Sequence, residues 1–245
     1  MFLTENKVSL INENLINEPN ILKTIEKCTR LCYDSGHLTT QDSYKKITKS
    51  IIDHNHLAML EHYSLSFEIT CSRGCSMEII RHRMASYAQK STRYINSTKR
   101  NFNIINPYWT KLELGEYIYI QAPNMFQTDE IAIIKNGEQN IVTHAFNELD
   151  WNLPHNQFLR MCLMSEKFYF ETMTMNNSPQ DCKCFILDCF ETTIVMTANI
   201  REWIHFINLR YYETTGKVYP EMKKVAEMIL DILSIKLPFV FKRGE

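Results

Sequence analysis

Apolar positions along this chain recur with two different periods, and the switches between them predict its elements. Asn6–Asn12 (NKVSLIN) reads as a first strand. After Asn17-Glu18-Pro19-Asn20, the residues Ile21, Ile25, Cys28 and Leu31 fall at helical spacing and predict a helix through about Cys32. A second helix is expected over 41–54. Leu65, Phe67 and Ile69 then alternate with Ser64, Ser66, Glu68 and Thr70, the pattern of a half-buried strand. Residues 72–84 return to helical spacing through Cys75, Ile79 and Ile80.

Residues 96–123 carry Asn-Pro and Ala-Pro turns and are expected to be irregular. Helices are predicted over 127–150 and from about Pro154 to Met175. The segment FETTIVMTAN leads into a helical stretch at 199–213, and Tyr219-Pro220-Glu221 opens a last helix through 235. Internal repeats, low-complexity tracts and linkers are absent, so one domain over 1–245 is expected. At about 100° per residue, Ile200, Trp203, Ile204 and Ile207 form one stripe of the 199–213 helix. The same wheel puts Asn199 and Arg210 on one flank and Arg201 and His205 on the other.

Composition narrows the function. Lys and Arg total 27 against 28 Asp and Glu, so no global field draws in nucleic acid or membrane. No stretch nears the ~20 apolar residues of a membrane span, and the N-terminus lacks the pattern of an export signal. The eight cysteines are therefore expected to be free thiols of a reducing cytoplasm. The Cys182, Cys184 and Cys189 group lacks zinc spacing, and no metal is expected. Neither GxGxxG nor GxxxxGK[ST] occurs, which argues against a Rossmann unit or a P-loop.

One local feature stands against this neutrality. The stretch RHRMASYAQKSTRY (81–94) places Arg81, His82, Arg83, Lys90 and Arg93 together, and the next acid after Glu78 is Glu113. Like charges so close repel unless an anion sits among them. The interleaved Ser91, Gln89 and Tyr94 offer directional hydrogen bonds, which suits a bound phosphate.

The segments HLAMLEH (56–62), FEI (67–69), SRGCSMEIIRHRMASYAQKSTRY (72–94) and NIREWIHFINLR (199–210) resemble the flavin-dependent thymidylate synthases, the ThyX family. The family signature of Arg-His-Arg, seven residues, then Ser is met by Arg81-His82-Arg83 and Ser91. The later Asn-x-Arg, His and Arg fall at 199, 201, 205 and 210. The resemblance implies an α+β fold, a central, largely antiparallel sheet with flanking helices and a helical region. It implies reductive methylation of dUMP to dTMP, with 5,10-methylenetetrahydrofolate as carbon donor and FAD, reduced by NADPH, as hydride carrier. It also implies a cytoplasmic homotetramer with active sites shared between subunits.

By the same resemblance, His56, Glu61, Arg81, His82, Arg83, Gln89, Asn199, Ile200, Arg201 and His205 would bind FAD. Arg73, Glu78, Ile79, Ile80, Arg81, Gln89 and Lys90 would line the nucleotide pocket, with Ser91, Thr92, Arg93 and Lys183 toward the phosphate. Arg210 would lie against the pyrimidine edge and carry the catalytic electrostatics. Three positions depart from the commoner pattern: Ala58 stands for a hydroxyl residue, Lys183 for an arginine, and Tyr219 follows three extra residues. A relative that methylates or hydroxymethylates a different pyrimidine nucleotide would keep the same framework.

Readings of other classes are weaker. A nucleic-acid module would use the basic run with Tyr87 and Tyr94, but the net charge of −1 and the lack of a recognised motif oppose it. A metal hydrolase on His54, His56, Glu61 and His62 lacks the acidic cluster to complete it. A non-catalytic homologue is at odds with a full set of motif residues.

Overall fold

A computed structural model describes residues 1–94, 96–97, 101–120, 129–134, 141–145 and 149–242. The chain is α+β, and its strands, largely antiparallel where the pairing is defined, are accompanied by helices. It divides into two compact units, Met1–Asn6 with Thr70–Met77 and Gln89–Thr193, and Lys7–Ile69 with Glu78–Ala88 and Ile194–Glu245.

In the first unit, β1 (Phe2–Thr4), β5 (Asn103–Ile105), β6 (Gly115–Ile120), β7 (Glu130–Ile134) and β8 (Ile141–Ala145) form a sheet in the order β5-β1-β6-β7-β8. Only β1 and β5 run parallel; the other pairs are antiparallel. Helix α4 (Pro154–Thr174) has its proline in the first turn, where the missing N–H costs nothing. It buries Phe158, Leu159, Cys162 and Leu163, spaced for one face, into a core shared with Leu3, Phe102, Ile104 and Tyr117. The short α5 (Pro179–Cys182) is fixed by a reciprocal capping box between Ser178 and Asp181.

In the second unit, α1 (Glu18–Cys32) is capped by Asn17, whose side chain accepts from the Asn20 amide at 3.1 Å. Its buried Arg30 pairs with Glu26 at 2.8 Å, and Ser43, the first residue of α2 (Ser43–Asp53), donates to the same carboxylate. The four-stranded sheet has the order β2-β3-β9-β4, from β2 (Lys7–Leu10), β3 (Ser64–Ser72), β9 (Glu191–Asn199) and β4 (Ala85–Gln89). In β9, a strand not read from the sequence, every second residue is buried, from Thr192 to Ala198, which puts one face against the core. At Asn199 the period changes and α6 (Ile200–Arg210) begins. Trp203 anchors it, fully buried edge-on to Phe67 at 4.9 Å, with Nε1 donating to the Leu65 carbonyl. Helix α7 (Pro220–Lys236) packs on α6 and β2 through Met222, Val225, Ile229 and Leu233.

Three sequence expectations are corrected. The helix expected over 127–150 is replaced by the β7–β8 ladder, in register from Glu130 opposite Ala145 to Ile134 opposite Ile141. Its run of β-branched Ile131, Ile133, Ile134, Ile141 and Val142 favours the strand, and the Asn136-Gly137 pair in the sequence is a hairpin signal. Residues 127–128, 135–140 and 146–148 of that expectation lie outside the described residues. The segment 96–123 contains β5 and β6, hidden because Tyr117, Ile118, Tyr119 and Ile120 are apolar on both faces. The helix expected over 72–84 is α3 (Arg73–Ile79), which stops early. Beyond it Arg81 and His82 donate to the carbonyls of Glu78 and Ile79 in a tightened turn, and the Tyr87 hydroxyl reaches the carbonyls of Ile79 and His82.

Candidate active site

Two groups of side chains gather the motif residues, one in each unit. In the second unit, the last turn of α3 supplies Glu78, the turn after it supplies His82, and α6 supplies Glu202, His205 and Arg210. His82 is 5 % exposed. Its Nδ1 lies 3.0 Å from a Glu202 carboxylate oxygen, and its Nε2 lies 3.0 Å from the Nε of Arg210. Arg210 also donates through Nη1 to Glu78 at 3.1 Å. The guanidinium is thus gripped on two sides, while its Nη2 edge has no hydrogen-bond partner among the described residues. Burial pushes the His82 pKa below its ordinary value; the Glu202 contact opposes this and the Arg210 charge adds to it. Phe206 packs against the ring at 4.7 Å and His205 lies at 6.0 Å.

A cleft of ≈ 440 Å³ in the same unit is lined by Glu61, Met84, Asn199, Arg201, His205 and Asn208, among others. Arg201 donates to Glu61 at 2.6 Å, and both side chains are about half exposed, so further guanidinium N–H groups face water. The Asn199 Oδ1 caps α6 by accepting from the Glu202 amide at 2.9 Å. A guanidinium, an imidazole and side-chain amides beside exposed Met84 form a donor set with an apolar flank. Such a set suits an anionic group joined to a ring system. The helical wheel set Asn199 beside Arg210; it instead shares this cleft with Arg201 and His205. Asn199 is extended at φ −74°, ψ 166°, so the helical step does not apply to it.

In the first unit, the chain turns after β4 through Lys90, Ser91, Thr92 and Arg93. Arg93 donates its amide to the Ser91 hydroxyl at 3.3 Å and its Nε to Gln180 of α5 at 2.9 Å. Arg73, at the start of α3, donates to the Thr92 hydroxyl at 3.4 Å. A pocket of ≈ 310 Å³ is lined by Lys90, Ser91, Thr92, Asn103, Phe190 and Glu191, among others. Hydroxyls, the Arg93 guanidinium and a lysine on one turn, with the Arg73 guanidinium of α3 against it, are the donors a phosphate monoester takes. Gln89 sits apart from these, donating to Ser76 at 2.9 Å and Thr192 at 3.3 Å. Lys183 is exposed on the turn that follows α5.

Other expected site residues are placed less directly. Arg81, Arg83 and His56 are exposed, as is Ile80. Ile79 and Ile200 are fully buried, which leaves only their backbone for a ligand. Among the described residues, His54, His56, Glu61 and His62 do not bring three metal-ligand atoms together; His82, Glu202 and His205 do, within 4.8 Å. The guanidinium of Arg210 on His82 Nε2 opposes a dication there. Glu202 and Gln180 were not foreseen, and Tyr87 enters the sequence reading only as a stacking residue of the nucleic-acid module, not for its contact with the His82 carbonyl. Asn199-x-x-Glu202 is a capping pattern and could have flagged the first; nothing in the sequence marks Gln180 or that contact.

The family model for the thymidylate synthase complementing protein matches residues 14–239. The chain belongs to this family. Members similar to it include the flavin-dependent thymidylate synthases of Mycolicibacterium gilvum, 28 % identical over 224 residues, and of Mycobacterium leprae, 29 % identical over 223. The alignments cover 90 % and 89 % of this chain and 78 % and 77 % of those relatives. The fold is shared with a UMP/dUMP methylase, PolB, from Streptomyces cacaoi bound with 5-Br dUMP. The TM-score is 0.69 at 14 % identity, over 99 % of this chain and 96 % of that one. As a member of this family, the chain carries the ThyX-like fold, with its two signature segments on α3–β4 and on α6.

Proposed function

We propose that this chain is a flavin-dependent thymidylate synthase. It would convert dUMP to dTMP with 5,10-methylenetetrahydrofolate as carbon donor, NADPH as reductant and FAD as cofactor, the whole of 1–245 acting as one catalytic domain of a cytoplasmic homotetramer. The observation that carries the reading is Arg210, a guanidinium gripped by Glu78 and His82 with its Nη2 edge left open among the described residues. Carbon 5 of uracil is a weak nucleophile, and it strengthens as negative charge grows along N3 and O4. A guanidinium fixed beforehand stabilises that charge without reorganising at the moment of reaction. Arginine keeps its proton, so Arg210 acts electrostatically and not as a base.

Ser91, Thr92 and Arg93 would hold the nucleotide phosphate, with Arg73 steadying Thr92. Arg201, His205 and Asn199 would hold FAD, and Glu61 orients Arg201. When bound, FAD supplies the hydride. The protein's share is to orient the rings and to keep Arg210 charged and in place.

A second reading has its own support: the neighbour in fold is named a UMP/dUMP methylase, and Lys183 replaces the arginine of the commoner family pattern. Lysine keeps the charge but loses the fork that fixes a phosphate in one pose. The substrate would then be a related pyrimidine nucleotide. One experiment separates these readings. The visible spectrum of the purified protein is recorded with FAD, then anaerobically with NADPH, and then with dUMP or UMP. A flavin spectrum that bleaches with NADPH and responds to dUMP at lower concentration than to UMP is expected. Absence of flavin binding refutes both readings, and a response to UMP alone refutes the first.

A further inference from the structure

We propose that Glu202 and His82 form a positioning relay that holds Arg210 through one tautomer of one protonation state of His82. The proposal rests on the role given above to Arg210, but its central claim is about this protein's own protons. Arg210 Nε is a donor under all conditions, so the His82 Nε2 at 3.0 Å must be an acceptor. The ring is then neutral, with its proton on Nδ1. That proton points at Glu202, an acceptor 3.0 Å away. Glu202 therefore fixes the tautomer, the tautomer presents a lone pair to Arg210, and Arg210 is left to bridge Glu78 on its other side. Glu202 is itself held at the first turn of α6, its amide donated to Asn199.

The arrangement makes the hold on Arg210 sensitive to acid. The charged or titratable groups facing His82 are Glu202, His205 and Arg210 from α6, while the Tyr87 hydroxyl of β4 donates to its carbonyl and Glu78 of α3 lies beyond Arg210. Tyr87 is pushed up to about 12 by burial and stays neutral. Protonation of His82 would turn Nε2 into a donor facing a donor and set two cations against each other. Burial already lowers the His82 pKa, so the neutral acceptor persists at and above the ordinary value of 6.5. The associated stability is complete above 6.5 and is lost as pH falls from there through the lowered folded-state pKa.

The test is ¹⁵N NMR of the histidine-labelled, FAD-loaded protein without nucleotide, with His82 assigned by His82→Gln. The relay expects a neutral Nδ1–H tautomer at pH 7.5 and a midpoint below 6.5. It further expects Glu202→Gln, whose amide can turn either way, to mix the tautomers and lower the midpoint. An Nε2–H tautomer or a charged ring at pH 7.5 in the unaltered protein overturns it, as does a Glu202→Gln spectrum identical to the parent. Turnover supplies an independent arm. His82→Ala should lose about 10- to 100-fold, the worth of a charge-assisted hydrogen bond. His82→Gln, which can place a carbonyl oxygen toward Arg210, should recover part of that loss. Equal losses in both variants overturn the relay. Failure of the thymidylate reading would instead appear as a flavin spectrum indifferent to nucleotide while the NMR result stands.

Discussion

Arg210 and Arg201 sit on the same helix and are both arginines, yet their surroundings set different consequences for a substitution. Arg201 pairs with Glu61 with both side chains about half in water, a geometry that contributes little to stability. Arg210 is less exposed and meets two partners through two different nitrogens. Lysine at 210 keeps the charge but has one nitrogen and cannot reproduce both contacts with an edge to spare. Arg210→Lys is expected to lower kcat by about 10²- to 10³-fold, the scale of losing one preorganised donor. KM for the nucleotide should change far less. Steady-state kinetics check this, and a loss confined to KM would remove Arg210 from the chemistry. Arg210, Ser91 and Arg93 could be picked out because their types and spacing carry chemistry. The roles of Gln180 and Tyr87 were invisible, since they depend on which segments the fold brings beside Arg93 and His82.

At the scale of elements, helix α6 was the most legible part of the chain. The helical spacing of Ile200, Trp203, Ile204 and Ile207 after Asn199 specifies it, whereas the strand β9 before it was not read, because polar Thr192 lies on its buried face and apolar Val195 on the other. Asn199 does two things there, lining the cleft and capping the helix. These roles can be separated. Asn199→Ala removes the cap and should cost about 1 kcal/mol in urea unfolding. Asn199→Asp keeps the acceptor and should retain that stability, yet it should weaken FAD binding by bringing an anion toward a pyrophosphate. Equal FAD affinity in parent and Asp variant would take Asn199 out of the cofactor site. The β7–β8 ladder was the least legible element. Ile131, Ile134, Ile141 and Val142 also fit a helical stripe, and only β-branching and Asn136-Gly137 distinguish the strand. The early stop of α3 was equally hidden, because it depends on a hydroxyl from Tyr87.

For the whole molecule, the family motifs indicate function more securely than size and charge do. A formal charge of −1 and a globular composition fit a great many proteins. The cleft that gathers Asn199, Arg201 and His205 measures ≈ 440 Å³, toward the lower end of the roughly 300–1,000 Å³ of small-molecule sites, while FAD is a large ligand. In the second unit Leu15, Leu31 and Ile235 leave large apolar side chains in water, surface that association between copies would cover. If several chains complete each flavin site, flavin affinity must depend on protein concentration, because ligand binding and assembly are then linked. Flavin fluorescence during serial dilution, followed alongside light scattering, tests this directly. Bound flavin should be released over the same range in which the scattering mass falls from four chains. Addition of excess FAD should shift that range to lower protein concentration. Flavin retained at one per chain by a dissociated monomer would mean that a single chain builds the whole site. Arg201 and His205 would then bind FAD with no contribution from another copy.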